Sequence, residues 1–199
     1  LNPQHAPHQW STPVYGSRKP QSPTVDPKST PLNAEDTTTI QAICGTFIYY
    51  SECDPCIKTA LNEISTQQSA PTEETRKKSK MLLDYLSTYP NAVLRFFASD
   101  MILNVEADSA YLALPKARSR GAAWFIFGND PRKTDRPMSN SPVHVSCVTL
   151  KNVMSSAAEA ETGGLFTAAQ RACPIRTAAI ELGHPQPTTG TPLYTDNST

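Results

Sequence analysis

The spacing of apolar positions changes character twice along this chain. Residues 1–34 hold few large aliphatic side chains among Pro, Ser, Thr and His. Such a stretch cannot bury enough apolar surface to offset the entropy of ordering, so an extended or disordered lead-in is expected. Beyond it, Ile40, Ile43, Cys44, Phe47 and Ile48 form an apolar stripe at helical spacing. Asn33, three residues before Asp36, is placed as a weak N-terminal cap. Pro55 suits a helix start, and a second helix over about Pro55–Thr66 carries Ile57, Leu61 and Ile64. Thr72-Glu73-Glu74 opens a third, with Met81, Leu82, Tyr85 and Leu86 toward its core. It ends near Tyr89, because a residue before proline avoids the helical basin. Residues 35–90 therefore read as a three-helix unit, and residues 91–199 as a second domain.

From Ala92 the period shortens to two. Val93–Phe97 and Ile102–Ala107 read as strands. In the second, Ile102, Asn104, Glu106 and Asp108 fall on one face and Leu103, Val105 and Ala107 on the other, before a small-residue turn at Ser109-Ala110. Lys116, Arg118 and Arg120 form a basic loop, Ala122–Gly128 reads as a buried strand, Asn129–Pro142 as turns, and Val143–Leu150 as a further strand. Consecutive strands ahead of any helix suggest an antiparallel meander. A long helix then opens at Ser155-Ser156, where Ser156 and Glu159 make an S-x-x-E capping box. Glu161 has no such structural job and lies about 200° round the helix from Glu159. Pro174 is expected to kink or restart this helix, and Gly183 to stop it. Thr191–Asp196 is the last strand. The order β-β-β-α-β makes an α/β fold with a mixed sheet. A strand reached by helical crossover should run parallel to its neighbour. Pairing with the strand that ends in Asp108 would set Asp196 beside it, at the carboxyl ends where open α/β sheets bind ligands. Asp108, Glu161 and Asp196 are thus expected to converge on a hard cation such as Mg²⁺.

Composition narrows the field. Lys+Arg and Asp+Glu both number 18, so any basic footprint must be local. The local candidate is Arg76, Lys77, Lys78 and Lys80, four cations in about one and a half helical turns that suit a phosphate backbone or else a solvated helix face. With 38% hydrophobic residues and 18 prolines, part of the chain is expected to be unpacked. No apolar run approaches membrane-spanning length and no signal peptide opens the chain. It begins at Leu1 and stops abruptly at Thr199, which reads as a fragment of something longer. Five cysteines follow no secreted framework, and Cys53-x-x-Cys56 lacks the second pair a zinc site needs, so reduced thiols are expected. His5 and His8 read as solvated.

Four motifs then fall into register. Ala107-Asp108-Ser-Ala-Tyr, Arg118-Ser-Arg-Gly-Ala-Ala-Trp-Phe-Ile-Phe-Gly128, Ser155-Ser-Ala-Ala-Glu-Ala-Glu161 and Pro192-Leu-Tyr-Thr-Asp-Asn197 resemble, in order and spacing, the ribonuclease H domain of copia-type LTR retrotransposon polyproteins. Residues 35–90 resemble the thumb- or connection-like helical segment between the polymerase palm and ribonuclease H of the same polyproteins. The resemblance implies a ribonuclease H-like mixed sheet, incomplete at its C-terminus. It implies a Mg²⁺-dependent endonuclease that hydrolyses the RNA strand of RNA–DNA hybrids with two ions, Mn²⁺ being a possible substitute. Asp108, Glu161 and Asp196 match the family's catalytic and metal-binding acids; the fourth acid would lie beyond Thr199. Ser109 and Asn197 are candidates to sense the 2′-hydroxyl. Implied partners are the hybrid and the rest of the polyprotein, including the polymerase fingers and palm, with no membrane. The implied location is cytoplasmic, in a virus-like particle, or nuclear, and not secreted. A Tyr-x-Asp-Asp polymerase motif is absent from the sequence. The alternative is a non-catalytic nucleic-acid-binding or structural remnant of a decayed retroelement.

Overall fold

The computed structural model describes residues 3–9, 28–114, 116–133 and 140–196. Most of the expected lead-in, part of the turn-rich segment (134–139) and Asn197 lie outside the described residues. The chain divides into two compact units, one helical and ending at Val93, the other α/β and running from Leu94.

The helical unit comprises α1 (Ala34–Tyr50), a 3-10 turn at Pro55–Ile57, α2 (Lys58–Ser65) and α3 (Glu73–Thr88). At each start the open N–H donors find acceptors. Asn33 Oδ1 accepts the Asp36 N–H at 2.8 Å, and the Asp54 carboxylate accepts the Cys56 N–H at 3.2 Å. At α3, the N–H groups of Glu73 and Glu74 donate to the Thr30 carbonyl (3.0 Å) and the Ser29 hydroxyl (3.1 Å). The end of the lead-in thus satisfies donors that a helix N-terminus leaves open. Ile40, Cys44, Ile57, Ala60, Leu61, Ile64 and Leu82 make the core. Ile48, expected in the apolar stripe, is 52% exposed in the last turn of α1.

The α/β unit runs β1 (Ile102–Leu114), β2 (Arg118–Gly128), β3 (His144–Thr149), α4 (Ala157–Glu181), β4 (Leu193–Tyr194). The sheet is four-stranded and mixed, in the order β3-β2-β1-β4. β1 and β2, and β2 and β3, pair antiparallel; β4 pairs parallel to β1, with Leu193 beside Val105 and Tyr194 beside Glu106. α4 covers one face, where Leu103, Val105, Ala107, Ala123 and Phe125 pack with Ala168 and Ala172. Among the described residues no helix is long and apolar enough to cross a membrane.

Several local expectations are corrected. Val93–Phe97 is not a strand: the N–H groups of Arg95 and Phe97 donate to the Ser141 hydroxyl and the Asn140 side-chain carbonyl, not to a neighbouring strand. Ser109-Ala110 is not a turn either, since both residues pair with β2, opposite Gly121 and Arg120. Their small size serves packing. A Cβ at Gly164 would collide with the Ser109 hydroxyl, so helix and strand meet there at closest approach. Arg118 and Arg120 are consequently strand residues, not loop residues. Pro174 neither restarts nor ends α4, which stays one helix of 25 residues. Pro174 is exposed, so the carbonyl it leaves unpaired lies on the solvent side. The last strand is only two residues long. At its start α4 carries Ser156 as cap, accepting the Glu159 N–H at 3.1 Å; the Glu159 carboxylate reaches past the cap to the Ser155 N–H at 2.6 Å. At its end, Gly183 (φ +89°) takes the left-handed conformation and His184 N–H bonds the Ala179 carbonyl at 2.9 Å, a Schellman arrangement.

Candidate metal centre

A strand, a helix and the segment just after a strand each deliver one acid. Asp108 lies in β1, opposite Ala122 of β2. Glu161 lies in the second turn of α4, three residues before Gly164, on the side where the helix meets Ser109. Asp196 follows β4 by one residue beyond Thr195. One ligand oxygen from each carboxylate lies within 4.8 Å of the others. Among the described residues no other group of three or more His, Cys, Asp or Glu side chains comes together in this way.

The loop before β4 is clamped, and it has to be, because two paired residues hold a strand weakly. Gln186 accepts the Leu103 N–H at 2.9 Å and donates to the Met101 carbonyl at 2.8 Å. Arg176 of α4 donates to the Pro187 carbonyl (2.5 Å) and the Thr191 hydroxyl (3.1 Å). Val105 N–H bonds the Pro192 carbonyl at 3.0 Å. These contacts fix the path of the chain that presents Asp196.

Asp108 and Asp196 are exposed and Glu161 is half-buried. Partial burial first, and then the carboxylates of Asp108 and Asp196, push the Glu161 carboxyl above its usual value. The Ser109 N–H and the Thr195 hydroxyl pull the other way. Thr195 lies 3.5 Å from Glu161 Oε2. Partial burial beside two carboxylates disfavours the charged form of Glu161, and the three acids could together hold a hard divalent cation. The donor set is all oxygen and suits Mg²⁺ or Mn²⁺. Glu159, two residues from Glu161, has its carboxyl lowered by the Ser155 hydroxyl and N–H, so the two neighbours on α4 stand in opposite electrostatic settings.

The expected basic footprint lies on α3. Arg76 pairs with Asp36 and, at 3.4 Å, with Glu73; Lys78 pairs with Glu74 (3.1 Å) and Glu63 (3.9 Å); Lys80 pairs with Asp84 (2.6 Å). Lys77 is exposed and has no acidic partner among the described residues. The cations do share one helix, but their charge is mostly answered within the unit.

Ser109 is removed from the 2′-hydroxyl candidates, because its Oγ is buried against α4. Asn197 is outside the described residues. Sequence reasoning missed Trp124, read as part of a buried strand but 41% exposed on the face away from α4. The run Ala122–Gly128 is apolar at both parities, which hid the alternation that would have singled Trp124 out. The five cysteines are free thiols. No family model, curated protein or solved structure matches the chain.

Proposed function

We propose that this chain is a piece of a copia-type retrotransposon reverse transcriptase: a connection-like helical unit followed by a ribonuclease H-like domain. In the intact parent, the second domain hydrolyses the RNA strand of RNA–DNA hybrids at Asp108, Glu161 and Asp196. The observation that carries this reading is the meeting of those carboxylates within 4.8 Å, from positions up to 88 residues apart in the chain. The strand order and the parallel placement of β4 support it, since they bring the segment just after β4, with Asp196, alongside β1, which carries Asp108. Mg²⁺ held there would activate the attacking water and stabilise the leaving oxygen. The chain's own contribution is to hold three hard ligands on a strand, a helix and the segment just after a second strand, with the Ser109 N–H and Thr195 hydroxyl restraining Glu161. Lys77 and its neighbours on α3 would contact the hybrid's phosphates.

The test is a hybrid with separately labelled strands, incubated with the protein and Mg²⁺ or Mn²⁺. Cleavage of the RNA strand alone, lost in Asp108→Asn, is the expected result. Either cation should also raise the melting temperature of the wild type and not of that variant. Salt-dependent hybrid binding with no cleavage and no cation response would point to a binding-only remnant. Neither binding nor a cation response would remove the nuclease reading altogether.

A further inference from the structure

β4 stops at Tyr194, and the clamps at Gln186, Pro187, Thr191 and Pro192 all act ahead of it. Asp196 lies beyond them. Glu161 reaches the same point from α4, on a side chain with one more rotatable bond than an aspartate. A cation shared by several carboxylates binds best when each is already in place, because fixing a loose side chain costs entropy. Two donors fix Glu161. Val105 N–H faces β4, where it bonds the Pro192 carbonyl at 3.0 Å. By the alternation of a strand, Ser109 N–H faces the same edge. The pairing with β4 ends at Glu106 and Tyr194, short of Ser109. Ser109 N–H donates instead to Asp108 Oδ1 at 2.7 Å and to the Glu161 carboxylate. The Thr195 hydroxyl lies 3.5 Å from Glu161 Oε2. Each donor is the chain neighbour of an aspartate: Ser109 follows Asp108, and Thr195 precedes Asp196.

We propose that Thr195 is a positioning residue of the metal centre: its hydroxyl ties Glu161 to the segment that carries Asp196, so that helix and strand end present their carboxylates together. The inference rests on the reading of the three acids as a shared cation site, and names a side chain that sets its affinity without being a ligand. Ser109 N–H makes the matching tie toward Asp108, but a backbone donor is there whatever side chain the residue carries. Thr195 is the half of the pair that side-chain chemistry decides. A hydroxyl suits the place. It donates to a carboxylate without bringing a charge, so it orients Glu161 and leaves the anionic charge to the cation. A lysine or arginine there would neutralise the acids and compete with the ion. The branched β-carbon also restricts the first side-chain torsion of threonine, which limits where the hydroxyl can point. Partners of this kind, one step removed from the ion, change metal affinity by about 10–100-fold.

Mn²⁺ is the probe, because the electron paramagnetic resonance signal of the free ion counts what the protein has not bound. The wild type should bind Mn²⁺. Thr195→Val, which exchanges the hydroxyl for a methyl of similar size, should weaken that binding by roughly tenfold. Thr195→Ser keeps the hydroxyl and should recover most of the loss. The melting shift caused by Mg²⁺ should follow the same order, while the cation-free melting temperatures of the three proteins stay close together. Equal Mn²⁺ affinity in wild type and Thr195→Val overturns the positioning role and leaves the nuclease reading standing. A Thr195→Ser protein as weak as Thr195→Val does the same, because the loss then belongs to the branched side chain and not to the hydroxyl. A wild type that binds no Mn²⁺ overturns both. If Thr195→Val does not fold, Thr195→Ala takes its place, with the same expected loss and the same overturning results.

Discussion

Glu161 and Asp130 show how differently two carboxylates can be placed in one small unit. Asp130 is buried and takes the Arg132 guanidinium at 2.8 Å through both Nε and NH2, and the Arg132 N–H at 3.0 Å. That hydrogen bonding holds its carboxyl at about 2. A depressed folded value means stability that is present above the unfolded value of about 4 and lost as the pH falls toward the folded one. Acid titration of the melting temperature should therefore fall between about pH 4 and pH 2, and Asp130→Asn should flatten that fall while lowering stability at neutral pH. Glu161 has the opposite sign. Its raised carboxyl disfavours the charged state, so apo stability decreases as the pH rises through its folded value. Glu161→Gln should accordingly melt at a higher temperature than wild type without divalent cations and at a lower one with saturating Mg²⁺. Equal melting in both conditions would mean that the acids do not share an ion.

At the scale of elements, the site depends on how close α4 comes to β1. The buried residues Ala160, Gly164, Ala168 and Ala172 recur every four residues and make a ridge with almost no side-chain height. This ridge is why a helix bearing Glu161 can reach the strand bearing Asp108. Gly164→Ala would drive a methyl group into the Ser109 hydroxyl and should cost about 1–3 kcal/mol by overpacking, measured by denaturant unfolding. Ser109→Gly in the same chain should restore much of the loss, because it vacates the colliding atom. The two-residue β4 depends on its clamps in the same way. Gln186→Ala and Arg176→Ala should each weaken Mg²⁺ binding, seen as a smaller melting shift, although neither residue is an acid of the site. Helix starts and stops were legible in the sequence because their causes are local: Asn33, Ser156 and Gly183 act on residues no more than a few positions away. The run through Ser109-Ala110 and the continuity of α4 past Pro174 were not. A small residue placed for a turn and one placed for close packing look alike until the partner surface is known.

For the whole molecule, each unit has its own core, and Leu82, fully buried among the residues of α1 and α2, belongs to the helical one alone. Leu82→Ala should cost that unit about 2–5 kcal/mol and lower its unfolding transition, with the Mg²⁺-induced shift of the α/β unit intact. By itself the sequence determined the helices and their caps, the antiparallel run of three strands and the crossover to a parallel fourth, while the resemblance singled out the three acids. The elements follow from periodicity, from capping chemistry and from the handed connections that short chains permit. Only the tertiary structure decided that the acids meet, that β1 runs on past them, and that Trp124 faces outward beside them. Each of those depends on which surface packs against which, and packing is set by contacts between residues far apart in the chain.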